Sequence, residues 1–267
     1  MKKKTLGIII VSVLGAAAIF CSAMFTQQFL DAKNSKAAFD DLTNLITEID
    51  EPQKDTEAEE SGLSAEELAE AEAALAREKY AALFAQNNDF IGWIKIDGTN
   101  VNYPVMQTPN KPDFYLKRSF DKSYSDYGVP YIDEACMTGI SNNLVIYGHH
   151  MNDGSMFAGL MKFKDKSFWE NHKTISFDTL TDRQTYEVLA VFKTVVYTDS
   201  SDSFKYYHFV NAETPEDFSA YVDKCKKLSL YDTDVTAEYG NKLLTLSTCE
   251  YSHTNGRLVV VAKLITE

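Results

Sequence analysis

Three residues in the C-terminal half have the types and positions for acyl-transfer chemistry: His149, Cys249 and Arg257. Residues 143–148 (NLVIYG) form an apolar run that ends at Gly148, and His149 and His150 follow at once. Residues 242–248 (KLLTLST) form a second strand-like run that delivers Cys249, and eight residues later Arg257 opens a third, RLVVVAKL. Strand ends are where a rigid sheet presents side chains to one cleft. A thiolate is the attacking species in such chemistry, and a nearby cationic His or Arg favours it. An imidazole can protonate a leaving amine and later deprotonate an incoming one. A guanidinium stabilises oxyanion charge or holds the substrate backbone.

Each of these residues has a plainer reading. A lone cysteine is ordinarily a small buried hydrophobe, and the chain has four, Cys21, Cys136, Cys225 and Cys249. The last three lie beyond an N-terminal apolar run and cannot all pair within one chain, which leaves an odd thiol. Cys136 and Cys225 read as inert, Cys225 because it sits in a helical pattern among Tyr221, Val222 and Leu228. His150 faces away from His149 on an extended chain and reads as a loop or surface residue. His253, in the solvated loop of residues 250–256, ranks behind His149 as a base. Ser247 and Glu250 flank the nucleophile. Ser247 alternates with Thr248, so one of the two faces the cleft, while Glu250 either orients the site or is solvated. Arg77, Arg118 and Arg183 lack the context of Arg257. The histidines are scattered, and adjacent His149 and His150 cannot both face one ion from a strand. No metal site and no cofactor are therefore expected, and there is no glycine-rich phosphate loop.

The elements that must hold these residues are mostly strands. Residues 93–96, a turn at Asp97-Gly98 and residues 101–105 read as a hairpin. Residues 143–148, 174–177, 185–197, 242–249 and 258–265 are further strand candidates. Helical patterns interrupt them at 155–163 and at 214–228, where Thr214 caps and Pro215 occupies the first turn. Many strands with a few inserted helices predict a β-barrel or sandwich with helical decoration.

The first third of the chain is of another kind. Lys2, Lys3 and Lys4 precede an uncharged run over residues 6–25. At a helical rise of about 1.5 Å per residue it spans a hydrocarbon core of about 30 Å. The lysines favour a cytoplasmic N-terminus, which places everything after Gln27 outside the cell. The competing reading is a cleaved signal peptide, for which Cys21-Ser22-Ala23 is a poor cleavage site. Bulky Phe20 argues against a lipid anchor at Cys21. Residues 31–49 have a loose helical spacing, and residues 51–62 (EPQKDTEAEESG) read as an acidic linker. Ser64 with Glu67 forms a capping-box pattern opening a helix to about Gln86, with Leu68, Leu75, Ala82 and Leu83 as its packing stripe. The expected divisions are a cytoplasmic tip (1–5), a transmembrane anchor (6–26), a helical and acidic stalk (27–86) and a catalytic domain (87–267). The net charge of −13, much of it in the stalk, argues against a nucleic-acid partner.

The local wording around the three candidates is more specific than their types. Thr245-Leu246-Ser247-Thr248-Cys249 matches the TLxTC motif of sortases, the cysteine transpeptidases of Gram-positive cell envelopes. Arg257 opens the strand after the Cys loop, as in that family. Tyr147-Gly148-His149 matches its histidine signature, and residues 100–105 (NVNYPV) resemble its first hairpin. Class B of the family is indicated by YGHHM followed by NDGSMF, by TLSTC followed by Glu250-Tyr251, and by the ending GRLVVVAKL. The long stretch between residues 197 and 242, with its helix, also resembles class B.

This resemblance implies a mainly β fold: an eight-stranded barrel with N-terminal helices and an inserted helix, preceded by a transmembrane helix. It also implies that His149, Cys249 and Arg257 are catalytic, with Ser247 and Glu250 as substrate contacts. Cys249 would cleave a C-terminal sorting signal resembling NPQTN or NPxTG after its Thr, forming a thioacyl enzyme. The amine of a lipid II-type cell-wall precursor would then receive the surface protein. The rival functions are an exported cysteine peptidase or peptidoglycan hydrolase, a pilus-polymerising class B enzyme, and a non-catalytic tethered adhesion module. A papain-like arrangement puts its Cys at a helix start rather than a strand end, and an adhesion module has no use for TLSTC, GH and R together.

Overall fold

The computed structural model describes residues 3–50, 65–198 and 200–266. Eight strands close into a barrel in the order β1-β2-β3-β4-β7-β8-β6-β5. They are β1 (Phe90–Lys95), β2 (Asn102–Met106), β3 (Tyr131–Ile132), β4 (Asn143–Tyr147), β5 (Thr174–Thr179), β6 (Thr185–Val195), β7 (Leu243–Cys249) and β8 (Gly256–Leu264). The barrel and its eight strands agree with the fold expected from the sequence resemblance. Seven strands coincide with runs legible in the sequence. The eighth, β3, has two residues, paired to β2 at Tyr131 and to β4 at Tyr131 and Ile132.

β4 and β7 lie side by side and parallel, from Asn143↔Leu243 to Tyr147↔Ser247. β7 and β8 form an antiparallel pair that runs from Leu243↔Lys263 to Cys249↔Arg257. The carboxyl ends of β4 and β7 and the start of β8 therefore meet at one rim of the barrel. Where the sequence pattern predicts a helix at 155–163, the chain winds as a tighter 3-10 helix, Phe157–Lys164. A short helix, α3 (Lys166–Asn171), follows it with Asp165 as its N-cap.

Between β6 and β7 lies the inserted helix α4 (Pro215–Leu228). Thr214 caps it through a reciprocal capping box with Asp217, and Pro215 fills the first turn, where its missing N–H costs nothing. Phe218, Tyr221, Val222 and Cys225 bury one side of α4 against the outer face of the sheet, meeting Leu189, Phe192, Leu243, Val259 and Val261.

Of the N-terminal elements, α1 (Lys3–Asp50) is one continuous helix. Within Ile10–Ile46 it holds a stretch of mean hydropathy 1.8, none of it buried, that is long and apolar enough to cross a membrane. The acidic linker and the Ser64 cap lie outside the described residues. α2 (Ala65–Gln86) docks on the barrel through its last turns. Leu83 and Tyr80 are buried there, and the Tyr80 hydroxyl donates to the Asp178 carboxylate at 2.7 Å. Ala82 is half-buried, while the Leu68 and Leu75 side chains lie outside the described residues.

Candidate active site

Side chains alternate along a strand, so Thr245, Ser247 and Cys249 of β7 share one face, as do Arg257, Val259 and Val261 of β8. Val259, Val261 and the start of β7 lie in the apolar cluster under α4. Toward the rim the same face becomes polar. The Tyr221 hydroxyl lies 3.3 Å from Thr245 Oγ1, and the Tyr206 hydroxyl lies 2.7 Å from Ser247 Oγ. Beyond Ser247 stand Cys249 and Arg257, directly opposite each other in the ladder and both half-buried. At such a cross-strand pair the Cβ atoms are about 5 Å apart.

His149 arrives from the neighbouring strand. Two residues past the last β4–β7 pair, Tyr147↔Ser247, come His149 on one strand and Cys249 on the other. The ladder continues in altered form: Gly148 N–H donates to the Ser247 carbonyl at 3.1 Å, and Thr248 Oγ1 donates to the Gly148 carbonyl at 2.8 Å. Thr248 thus turns onto β4, and Ser247 is the one that shares the face of Cys249. Gly148 has no room for a side chain, because a Cβ there would lie 2.5 Å from the buried Phe157 ring.

The imidazole of His149 is oriented from outside the strand. Its Nε2 lies 2.7 Å from the carbonyl oxygen of Leu116, in the 3-10 helix Phe114–Lys117 between β2 and β3. A carbonyl only accepts, so Nε2 carries the proton. In the neutral ring Nδ1 is then the nitrogen with a free lone pair, and it is the atom available for proton transfer.

His150 lies in the loop after β4, one of the two places expected for it, but it is half-buried rather than at the surface. The chain turns after β4, with Phe157 N–H donating to the His149 carbonyl and a bridge between His150 and Met156. Simple alternation therefore fails there. His150 is half-buried, and its Nδ1 donates to the Cys249 carbonyl at 2.9 Å. Tyr251 donates its hydroxyl to the His150 carbonyl at 2.9 Å and lays its ring beside the imidazole.

Glu250 is neither solvated nor directed at Cys249. Only 6% of it is exposed, and its carboxylate receives Lys193 Nζ at 3.0 Å together with the backbone N–H and hydroxyl of Ser252. Burial works to raise its carboxyl, but the Ser252 hydrogen bonds and the Lys193 ammonium outweigh it and hold the group at about 2. Glu250 N–H donates to the Gly256 carbonyl, closing the tight loop between Cys249 and Arg257. Gly256 is required for that closure, since a Cβ would lie 2.2 Å from the Glu250 carbonyl oxygen. His253 is exposed within the loop and lines a cavity of about 600 Å³ with Lys193, Tyr197 and Lys224.

The thiols of Cys136 and Cys225 are unlike that of Cys249. Burial pushes Cys136 and Cys225 each up to about 12, whereas Cys249 is partly open to solvent. Leu116, Tyr206, Tyr251 and Lys193 are site-shaping residues that sequence reasoning missed. Each acts through a partner distant in sequence, so no local pattern marks it.

The sortase-domain family profile matches residues 94–265. Sortase B of Staphylococcus aureus is 34% identical over 192 residues, which cover 71% of this chain and 75% of that protein. The structure of the Staphylococcus aureus sortase B–substrate complex superposes with a TM-score of 0.71 at 28% identity, covering 89% of this chain and 99% of that one. A sortase B complexed with triglycine superposes equally, with a TM-score of 0.71 at 29% identity, covering 88% and 98%. The chain belongs to the sortase family of cysteine transpeptidases, in its class B.

Proposed function

We propose that Cys249 cleaves a sorting signal resembling NPQTN or NPxTG after its Thr and passes the protein to an amine of a cell-wall precursor. The observation that carries this reading is the direct cross-strand pairing of Cys249 with Arg257, beside His149 on the parallel strand. In the first step Cys249 Sγ bonds to the Thr carbonyl carbon, and the amide bond to the next residue breaks. The Cys249 thiol gives up its proton to His149 Nδ1 as Sγ attacks, and Nδ1 then passes that proton to the leaving amine. In the second step an incoming amine attacks the thioester, loses a proton to the same nitrogen, and the carbon–sulfur bond breaks. Arg257 stabilises the charge on the carbonyl oxygen in both steps. Ser247 and Glu250 remain candidate substrate contacts, though each is already engaged, by Tyr206 and by Lys193 with Ser252.

The acceptor reading rests on a sortase B having been solved with triglycine, a peptide that ends in a free amine. The signal reading rests on a substrate-bound relative and on the sequence resemblance. Residues 6–26 act in this proposal as an uncleaved anchor with a cytoplasmic N-terminus. Residues 27–86 brace the catalytic domain, 87–267, outside the cell.

The full chain in detergent micelles, given quenched NPQTN, NPxTG and LPxTG peptides with and without triglycine, tests it. Cleavage after Thr with transfer to triglycine, lost in Cys249→Ala and His149→Ala but kept in His253→Ala, is the expected result. Activity surviving in Cys249→Ala overturns the site assignment. Cleavage with no transfer favours a hydrolase.

A further inference from the structure

Two histidines, His149 and His150, stand side by side at the rim, and the second touches the cysteine's own backbone. The peptide unit between Cys249 and Glu250 is held at both of its polar atoms. Its N–H donates to the Gly256 carbonyl at 2.9 Å, and its C=O accepts from His150 Nδ1 at 2.9 Å. That peptide sets the backbone angle at Cys249. The backbone angle governs which thiol rotamers are open, and hence where Sγ points.

His150 is itself tethered. Tyr251, two residues after Cys249 in the same loop, donates to the His150 carbonyl at 2.9 Å, with ring centroids 5.0 Å apart. One residue thus receives two ties from the cysteine loop while being covalently joined to His149. Its Nδ1 must carry the proton it gives to a carbonyl, so that nitrogen is not available as a base.

We infer that His150, clasped by Tyr251, is a positioning residue that fixes the Cys249 backbone and couples the cysteine loop to the segment bearing His149. The inference rests on the acyl-transfer reading for its kinetic consequence, not for its structural one. Misplacing reacting groups by about 1 Å costs up to about 100-fold in rate. Loss of the clasp therefore lowers turnover rather than substrate affinity.

The test compares His150→Ala, His150→Asn and Tyr251→Phe in the full chain in detergent micelles. Asn places an N–H donor close to where His150 Nδ1 lies, without the rest of the ring. With an NPQTN-type peptide and triglycine, His150→Ala should lower kcat about 30-fold while KM stays within about twofold. His150→Asn should recover to within about threefold of wild type. Tyr251→Phe should lose about three- to fivefold, as the outer tie alone is cut.

Hydrogen exchange supplies a readout that needs no substrate. Amides over residues 250–256 should exchange at least about tenfold faster in His150→Ala, with residues 243–247 unchanged and His150→Asn protected again. A His150→Ala enzyme with kcat within twofold of wild type overturns the proposal. So does an Asn variant no better than Ala, or a loss confined to KM. If the wild-type chain cleaves none of the peptides, the functional reading fails, while the exchange comparison still decides whether the clasp holds the loop.

Discussion

The outer face of β7 and β8 is one surface with two halves. The lower half, with Leu243, Val259 and Val261, is sealed by α4 through Phe218, Tyr221, Val222 and Cys225. The upper end, with Cys249 and Arg257, carries no such cover, and the Cys249 backbone is held there by a polar tie to His150. Each half contains a cysteine. Below, Cys225 is fully buried and its thiol is pushed up to about 12. Above, Cys249 is partly exposed and stands opposite Arg257 in the ladder. The same strand spacing thus yields a packed thiol where a helix covers it and an accessible one where it is left open.

The sharpest way to break this division is to remove one residue from each half. Cys249→Ala should reduce transpeptidation by at least about 1,000-fold while thermal unfolding barely moves. Phe218→Ala should do the reverse. Emptying a buried phenylalanine site costs about 3–5 kcal/mol, lowering the unfolding midpoint while turnover per folded molecule stays near wild type. Circular dichroism melts beside the peptide assay check both, and a Phe218→Ala enzyme that is stable but slow would dissolve the distinction.

A smaller effect tests the guanidinium itself. Arg257→Lys keeps the charge but loses the planar fork, so kcat should fall about 10- to 100-fold with little change in stability. Thiol labelling sharpens the contrast between the cysteines. At pH 8, iodoacetamide should modify Cys249 at least about 100-fold faster than Cys225 or Cys136, read by mass spectrometry of peptides. Equal labelling of Cys225 would mean that α4 does not seal the lower half.

The smallest effect concerns Glu250. Its carboxyl is held at about 2, below the usual carboxylate value near 4.5. The stabilisation it gives is full above the ordinary value and is lost as pH falls toward about 2. Glu250→Gln should cost about 1 kcal/mol or less at neutral pH, since Lys193 and Lys164 are each partly exposed. It should also flatten the acid dependence of Ser252 amide exchange.

The upper half was more legible in the sequence than its small size suggests. Cys249, His149 and Arg257 stand at strand ends because short apolar runs stop or start there, and those limits are visible in the residues alone. The capping box at Thr214 was equally plain. β3 was not, because two residues carry no period. The 3-10 winding of residues 157–164 looks helical in pattern and differs only in pitch. Leu116 orients His149 from 33 residues away and Tyr206 meets Ser247 from 41 away, and neither leaves a local mark. The loop position of His150 was legible, but its contact to the Cys249 carbonyl was not, because the partner lies 99 residues away.

The parallel pairing of β4 with β7 has a kinetic side. Thr248 and Gly148, which tie the two strands at the rim, are 100 residues apart in the chain. Contacts of such separation form late, after the entropy of closing a long loop has been met. In synthesis from the N-terminus, β4 is complete long before its partner exists. Until β7 arrives, neither the tie at Gly148 nor the His150 contact to Cys249 has its second partner. The arrangement around Cys249 therefore comes last in the making of this molecule, and a half-folded chain carries the cysteine without the neighbours that hold its backbone.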